Sequence, residues 1–204
     1  MSITEKDVYE MFAEIYYQRA FKVYTDTEVH VTEATQCLLK SFFQRKVKRA
    51  LLEPKVVILS FGDLIHEALK PSLVRRGYNV SAEGVYQLKN VTLYAHTDAL
   101  ASDHTLEFKT ISRMPHDALS HHILQDNAYN FIFDKPIGYV PYIHKPSGLV
   151  RIFPIPKRED QFQYVCLRAY RLSVCLKSST MPKPEPSWLC NYCEYVDMCP
   201  SPLI

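Results

Sequence analysis

The run Val91-Thr92-Leu93-Tyr94-Ala95-His96-Thr97-Asp98-Ala99-Leu100, followed across Ser102-Asp103 by Thr105-Leu106-Glu107-Phe108-Lys109-Thr110, decides the fold. Both runs are rich in β-branched and aromatic residues, and the polar pair between them is turn chemistry, so they read as a hairpin. With a tight turn at Ser102-Asp103, residues whose numbers sum to 205 stand opposite each other, which makes Asp98 the cross-strand partner of Glu107. Two facing carboxylates repel, so the pair needs a cation, a shared proton or open water. Lys109 lies two residues beyond Glu107 and therefore emerges on the same face. Oxygen ligands of this kind suit Mg²⁺ or Mn²⁺, and an imidazole such as His66 shifts the preference toward Mn²⁺. Such an ion activates water and polarises a phosphodiester. The ordinary alternative is an exposed hairpin carrying a Glu–Lys pair.

Outward from the hairpin, Tyr78 to Leu88 supplies a preceding strand joined through Lys89-Asn90, giving a meander. Upstream, Val56 to Leu59 is a short apolar run, Ser60 and Asp63 signal a helix start, Gly77 signals its stop, and His66 falls inside. Ser2 with Glu5 forms a capping box for a first helix bearing Val8, Met11, Phe12 and Ile15. Thr32 caps a second helix that holds Cys37 in its early turns and ends before Pro54. Downstream, Pro115 opens a helix to about Phe133, and strands Ile137 to His144 and Leu149 to Ile155 flank the turn Lys145-Pro146-Ser147-Gly148. Asp160 to Lys177 reads as a last helix. The tail from Ser178, punctuated by Pro182, Pro184, Pro186 and Pro200, must be fixed by something other than regular structure. This order implies an α/β domain with a mixed sheet flanked by helices. There is no internal repeat and no GxxxxGK phosphate loop, which excludes an ATP motor in this chain.

With 204 residues and 47% hydrophobic content, the chain can bury the core of one domain. A net charge of +2 announces no nucleic-acid partner by itself. Locally, Lys40, Arg45, Lys46, Lys48 and Arg49 cluster, and Arg75 adjoins Arg76, as phosphate contacts would, although a solvated helix face has the same composition. His121 and His122 read as surface residues, and His96 as a core or strand-face histidine. No apolar run approaches the roughly 20 residues of a bilayer span, and the amino terminus lacks a signal-peptide pattern, so a cytoplasmic location without membrane contact is expected.

Six cysteines in such a chain favour metal binding over disulfides. Cys190-Asn191-Tyr192-Cys193 followed by Cys199-Pro200 is C-x2-C-x5-C, a compact loop pattern for a metal or cluster. Structural sites take four protein ligands, so a fourth comes from Cys37, Cys166, Cys175 or a histidine. Cys166 falls in the apolar stripe of Phe162, Val165, Ala169 and Leu176 and reads as a small buried hydrophobe, with Cys175 similar. Zinc and an iron–sulfur cluster both fit four thiolates.

Taken in order, Gly62-Asp63-Leu64-Ile65-His66, His96-Thr97-Asp98, Glu107-Phe108-Lys109, and Gln125 with Tyr129 resemble the helix histidine, aspartate, ExK strand and QxxxY helix of the RecB-like nucleases. The aspartate is preceded by His96-Thr97 where that family often has glycine. One early cysteine, a nuclease core and three late cysteines further resemble the CRISPR-associated iron–sulfur exonucleases, the Cas-four family. The resemblance implies a RecB-like (PD-(D/E)XK) fold in a single domain over residues 1–204, with a core at 55–177 and cluster-binding segments at 30–50 and 178–204. It implies that His66, Asp98, Glu107 and the Phe108 carbonyl bind Mn²⁺ or Mg²⁺, that Lys109 is catalytic together with Glu107 and Asp98, and that Gln125 and Tyr129 contact DNA or brace the site, Tyr129 by stacking on bases. It makes Cys37, Cys190, Cys193 and Cys199 the ligands of a 4Fe-4S or 2Fe-2S cluster. The activity it implies is 5′ to 3′ degradation of single-stranded DNA, trimming DNA for CRISPR spacer acquisition beside the integrase proteins Cas-one and Cas-two. The rivals are a nuclease of repair or replication and a non-enzymatic DNA-binding scaffold.

Overall fold

The computed structural model describes residues 3–20, 24–47 and 53–201. A seven-stranded mixed sheet is its centre. Strand β3 (Val91–Leu100) has β2 (Asn79–Leu88) antiparallel along one edge. Its other edge is shared by β1 (Glu28–His30), parallel at Thr92–Tyr94, and β4 (His104–Leu106), antiparallel at Ala99 and Leu100. β4 and β5 (Lys109–Ile111) both run parallel to β6 (Ile137–His144), whose far edge carries β7 (Val150–Pro156) antiparallel. The pairs Ala99–Leu106 and Leu100–Thr105 are the register expected from the turn. The strand expected over Thr105–Thr110 is instead interrupted at Glu107-Phe108, where the chain leaves β3 while keeping its register against β6. β1, three residues long, has no counterpart in the sequence reading. It is a strand because β3 pairs with it.

The helices are α1 (Glu5–Ala20), α2 (Val31–Thr35), α3 (Leu38–Lys46), α4 (Glu53–Arg75), α5 (Ser120–Ile132) and α6 (Glu159–Ser178). β1, β3, α2, α3, α5 and α6 enclose the main core, with Val29, Leu39, Leu93, Ala128, Val165, Leu172 and Leu176 almost fully buried. α1 lies along α4, with Phe12 and Phe61 ring centroids 6.1 Å apart. Thr4 caps α1: its hydroxyl accepts from the Asp7 N–H while Asp7 accepts from the Thr4 N–H. The expected cap, Ser2, and the Ile15 side chain lie outside the described residues.

Three helix boundaries differ from the sequence reading. α4 starts at Glu53 rather than near Ser60, with Pro54 in the first turn, where a missing N–H costs nothing. Val56 and Ser60, four apart, are both buried, so the apolar run is the opening of one long helix. α5 starts at Ser120 rather than Pro115. The Leu119 N–H donates to the Tyr142 hydroxyl and the Pro115 carbonyl accepts from Arg151, so residues 112–119 are held as a loop by distant partners. The helix expected to carry Cys37 in its early turns is split, and Cys37 is the N-cap of α3.

The basic segment around Arg45 makes ion pairs within the protein. Arg45 Nη2 lies 2.7 Å from Glu33 and 2.8 Å from the Glu28 carbonyl, Lys40 3.4 Å from Glu194, and Lys46 3.4 Å from Asp26. These pairs tie α3 to α2, β1 and the tail. Lys48 and Arg49 lie outside the described residues. Among the described residues no helix is long and apolar enough to cross a membrane.

Candidate active site and cysteine cavity

Alternation along β3 buries Val91, Leu93, Ala95, Thr97 and Ala99 and sends Asp98 and an exposed His96 to the opposite face. The edge of β3 between β1 and β4 is a fork, and Asp98 stands at its mouth. Glu107 is the first residue past β4. Its Oε2 accepts the Asp98 N–H at 3.2 Å, and Asp98 Oδ2 accepts the Phe108 N–H at 2.8 Å. From α4, His66 Nδ1 reaches Asp98 Oδ1 at 3.1 Å. Lys109 Nζ lies 2.9 Å from Glu107 Oε1, on the side expected. The structure thus gathers His66, Asp98, Glu107, Phe108 and Lys109 at one place. It shows the Phe108 N–H engaged.

Gln125 completes the group. Its Oε1 accepts from Lys109 at 3.0 Å, and its Nε2 donates to Glu107 Oε1 at 3.0 Å and to the Tyr129 hydroxyl at 2.7 Å. Tyr129 is 1% exposed and Gln125 5% exposed, so neither presents a face on which a base could stack. One face of α5 holds both residues beneath Glu107. Burial pushes the Glu107 carboxyl up to about 7, with Lys109 opposing and Asp98 adding to the rise. Burial would lower His66, but its hydrogen bond to Asp98 and the charges of Asp98 and Glu107 prevail and raise it.

Two neighbouring groups were not found from sequence. Asp126, fully buried, is pushed up to about 8, chiefly by burial. The Thr105 hydroxyl lies 3.0 Å from Asp126 Oδ1 and 2.8 Å from Asn130 Oδ1. One hydroxyl proton serves one acceptor, so a protonated Asp126 donates to Thr105 while Thr105 donates to Asn130. His121 and His122, read as surface residues, are half-buried, with rings 4.1 Å apart. His122 Nδ1 is 2.7 Å from the Tyr142 hydroxyl. Burial, reinforced by Lys109, lowers His121 to about 4 and His122 to about 2. Their only sequence signal was adjacency to the QxxxY helix.

The second feature is a cavity of about 620 Å³ whose walls include Cys37, Cys190, Cys193 and Cys199. Cys166 and Cys175 are not among its lining residues and lie half-buried against the main core. Burial raises the Cys166 thiol to about 11 and raises Cys175 as well. Cys193 and Cys199 each close a 3₁₀ turn, Trp188–Tyr192 and Val196–Met198, with nearly identical extended backbone. Among the described residues no three His, Cys, Asp or Glu side chains are drawn together tightly enough to hold a metal ion, here or at the carboxylates. Four thiols around one cavity are a donor set that zinc and an iron–sulfur cluster both take.

No family model and no curated protein matches the sequence. Solved structures do share the fold. The crystal structure of SSO0001 superposes with TM-score 0.77 at 21% identity, over 100% of this chain and 98% of that one. An alkaline exonuclease (LHK-Exo) from Laribacter hongkongensis gives TM-score 0.51 at 9% identity, over 84% of this chain and 94% of that one. A protein from Eubacterium rectale assigned as an exonuclease gives 0.56 at 11%, over 100% and 97%. At these identities the likeness establishes an α/β fold shared with exonuclease structures.

Proposed function

We propose that this protein is a Mg²⁺- or Mn²⁺-dependent deoxyribonuclease of the RecB-like type. The supporting observation is the convergence of His66, Asp98, Glu107 and Lys109 at the fork of the sheet, with Gln125 holding both Glu107 and Lys109. A divalent cation held by His66, Asp98, Glu107 and the Phe108 carbonyl supplies water activation and polarisation of the scissile phosphate. Oxygen donors with one imidazole fit such an ion. Lys109, fixed between Glu107 and Gln125, places its ammonium where negative charge develops on the phosphate. Tyr129 and Gln125 keep those two side chains from turning away.

The finer reading follows the family resemblance: an exonuclease acting 5′ to 3′ on single-stranded DNA, trimming DNA for CRISPR spacer acquisition beside Cas-one and Cas-two in the cytoplasm. In that reading Cys37, Cys190, Cys193 and Cys199 carry a 4Fe-4S or 2Fe-2S cluster, supported by their sharing one cavity from which the other two cysteines are absent.

The test uses 5′- and 3′-labelled single- and double-stranded DNA with Mn²⁺, Mg²⁺ or chelator. Cleavage should need the divalent ion, and order of product release from the two labels reports polarity. Lys109→Ala and Glu107→Ala should each reduce cleavage at least about a thousandfold, with Glu107→Ala also weakening Mn²⁺ binding. Wild-type rates in either variant would overturn the assignment.

A further inference from the structure

Arg168 and Glu185 occupy the place of a missing helical hydrogen bond. In an unbroken helix from Val31 to Lys46 the Leu38 N–H would donate to the Ala34 carbonyl. Here the two groups are taken separately. Arg168 Nε donates to the Ala34 carbonyl at 2.6 Å, and the Leu38 N–H donates to Glu185 Oε2 at 3.1 Å. Guanidinium and carboxylate also bind each other twice, at 2.6 and 2.8 Å, and Nη2 donates to the Gln36 carbonyl at 2.5 Å. The pair is inserted into the helix. The break falls at Gln36-Cys37, and Cys37, with extended backbone and no side-chain capping bond, becomes part of the cavity wall.

The tail is held a second time at Glu194, between Cys193 and Cys199. Its carboxylate lies 2.8 Å from Lys55, 3.4 Å from Lys40 and 3.3 Å from Gln44, and Lys55 also donates to the Tyr192 carbonyl at 2.7 Å. Burial opposes the charge on Glu194, but Lys40 and Lys55 outweigh it and lower its pKa. Tyr195 is buried, its ring 5.5 Å from that of Phe43.

We propose that Arg168 and Glu185, assisted by Glu194, form a clasp that preforms the four-cysteine cavity, so that a cluster enters a standing site rather than creating one. This rests, for the identity of the cargo, on the iron–sulfur reading above. Arg168 and Glu185 are positioning residues: Arg168, on α6, holds the Cys37 loop through carbonyls, Glu185 caps α3 in trans, and their ion pair joins α6 to the segment leading to Cys190. Small zinc modules behave oppositely, being unfolded until the metal organises them. The clasp separates holding the tail from binding the metal.

The test is hydrogen exchange at the Leu38 amide and at the Cys193 and Cys199 amides, in the full chain purified without oxygen and again after chelator has stripped it. Stripped wild type should keep these amides protected and regain iron and sulfide when both are supplied. Glu185→Ala should raise exchange at Leu38 at least about tenfold in the stripped form, because it removes the charged acceptor of that amide, and should regain cluster more slowly, while β3 amides stay protected. Should Glu185→Ala fail to fold, Arg168→Met with Glu185→Leu replaces the pair by apolar groups and should show the same loss of protection at Leu38. The clasp is refuted if stripped wild type exchanges these amides as fast as the variants, or if the variants keep wild-type protection. A wild type that never carries iron or sulfide sinks the cluster reading alone, and the exchange result still decides the clasp.

Discussion

Glu107 and Asp126 are both carboxyls pushed upward by burial, and they put that burial to opposite uses. Glu107 opens toward Asp98 and Lys109 at the fork, where a cation can neutralise it. Asp126 faces Thr105 and Asn130, and its Oδ2 has no hydrogen-bond partner among the described residues, so neutrality comes from a proton. Its pKa rises from 3.8 to about 8, hence its contribution to stability is complete below pH 3.8 and is lost as pH climbs through about 8. Asp126→Asn keeps a donor for Thr105 and cannot ionise. The variant should therefore gain on wild type in thermal unfolding as pH rises from 4 toward 8, the difference levelling off beyond about 8; a difference independent of pH would show that Asp126 is already ionised. At Tyr129 the hydroxyl is an acceptor for Gln125, so Tyr129→Phe should cost about 1 kcal/mol in denaturant unfolding. If Tyr129 braces rather than contacts DNA, kcat should fall about tenfold with DNA affinity unchanged.

At the scale of elements, the packing of α5 on the sheet depends on one residue without a side chain. A Cβ on Gly138 of β6 would lie 1.9 Å from Asp126 Oδ2 and 2.3 Å from the Thr105 hydroxyl. Neither neighbour can retreat, because both are buried and bonded to each other, and Thr105 is also bonded to Asn130, which in turn donates to the Ile155 carbonyl at 2.9 Å. Gly138→Ala should cost at least about 3 kcal/mol. In a domain of this size that is a fall of roughly 10 °C in Tm, read by calorimetry at neutral pH, and a variant melting with wild type would mean that β6 can shift away from α5. The same close approach keeps Gln125 under Glu107, so a variant that still folds should lose cleavage as well.

Across the whole molecule, the four cavity cysteines come from positions as distant as Cys37 and Cys199, while Cys166, near the same core, is outside the cavity. Cys37→Ser should lose most iron and sulfide and melt lower, since ligand bonds made only in the folded chain add to folding free energy. Because the tail is also fastened at Glu185 and Glu194, the loss should fall short of unfolding. Cys166→Ser should keep its colour. Iron and sulfide analysis of protein purified without oxygen distinguishes them, and full cluster content in Cys37→Ser would move the fourth ligand elsewhere.

Local chemistry determined a great deal by itself. The turn at Ser102-Asp103 set the hairpin register and so the approach of Asp98 to Glu107, and the period-2 alternation put Lys109 beside them. The ordered set His66, Asp98, Glu107, Lys109 and Gln125 was legible through its resemblance to the RecB-like nucleases, of which short-range geometry supplied only Asp98, Glu107 and Lys109. Tertiary structure decided what depends on partners distant in sequence. That Tyr129 is buried under Glu107 rather than exposed follows only from the packing of α5. β1 is too short to announce itself without β3, and the break at Glu107-Phe108 exists because the chain there exchanges two neighbouring strands for one. Cys37 turned out of its helix only because Arg168 and Glu185, more than 130 residues away, took the two ends of a hydrogen bond that local propensity would have closed. An arginine set among Val165, Ala169 and Leu172 at helical spacing was the one sequence sign of that clasp, and helix periodicity does not say what a buried charge will bind.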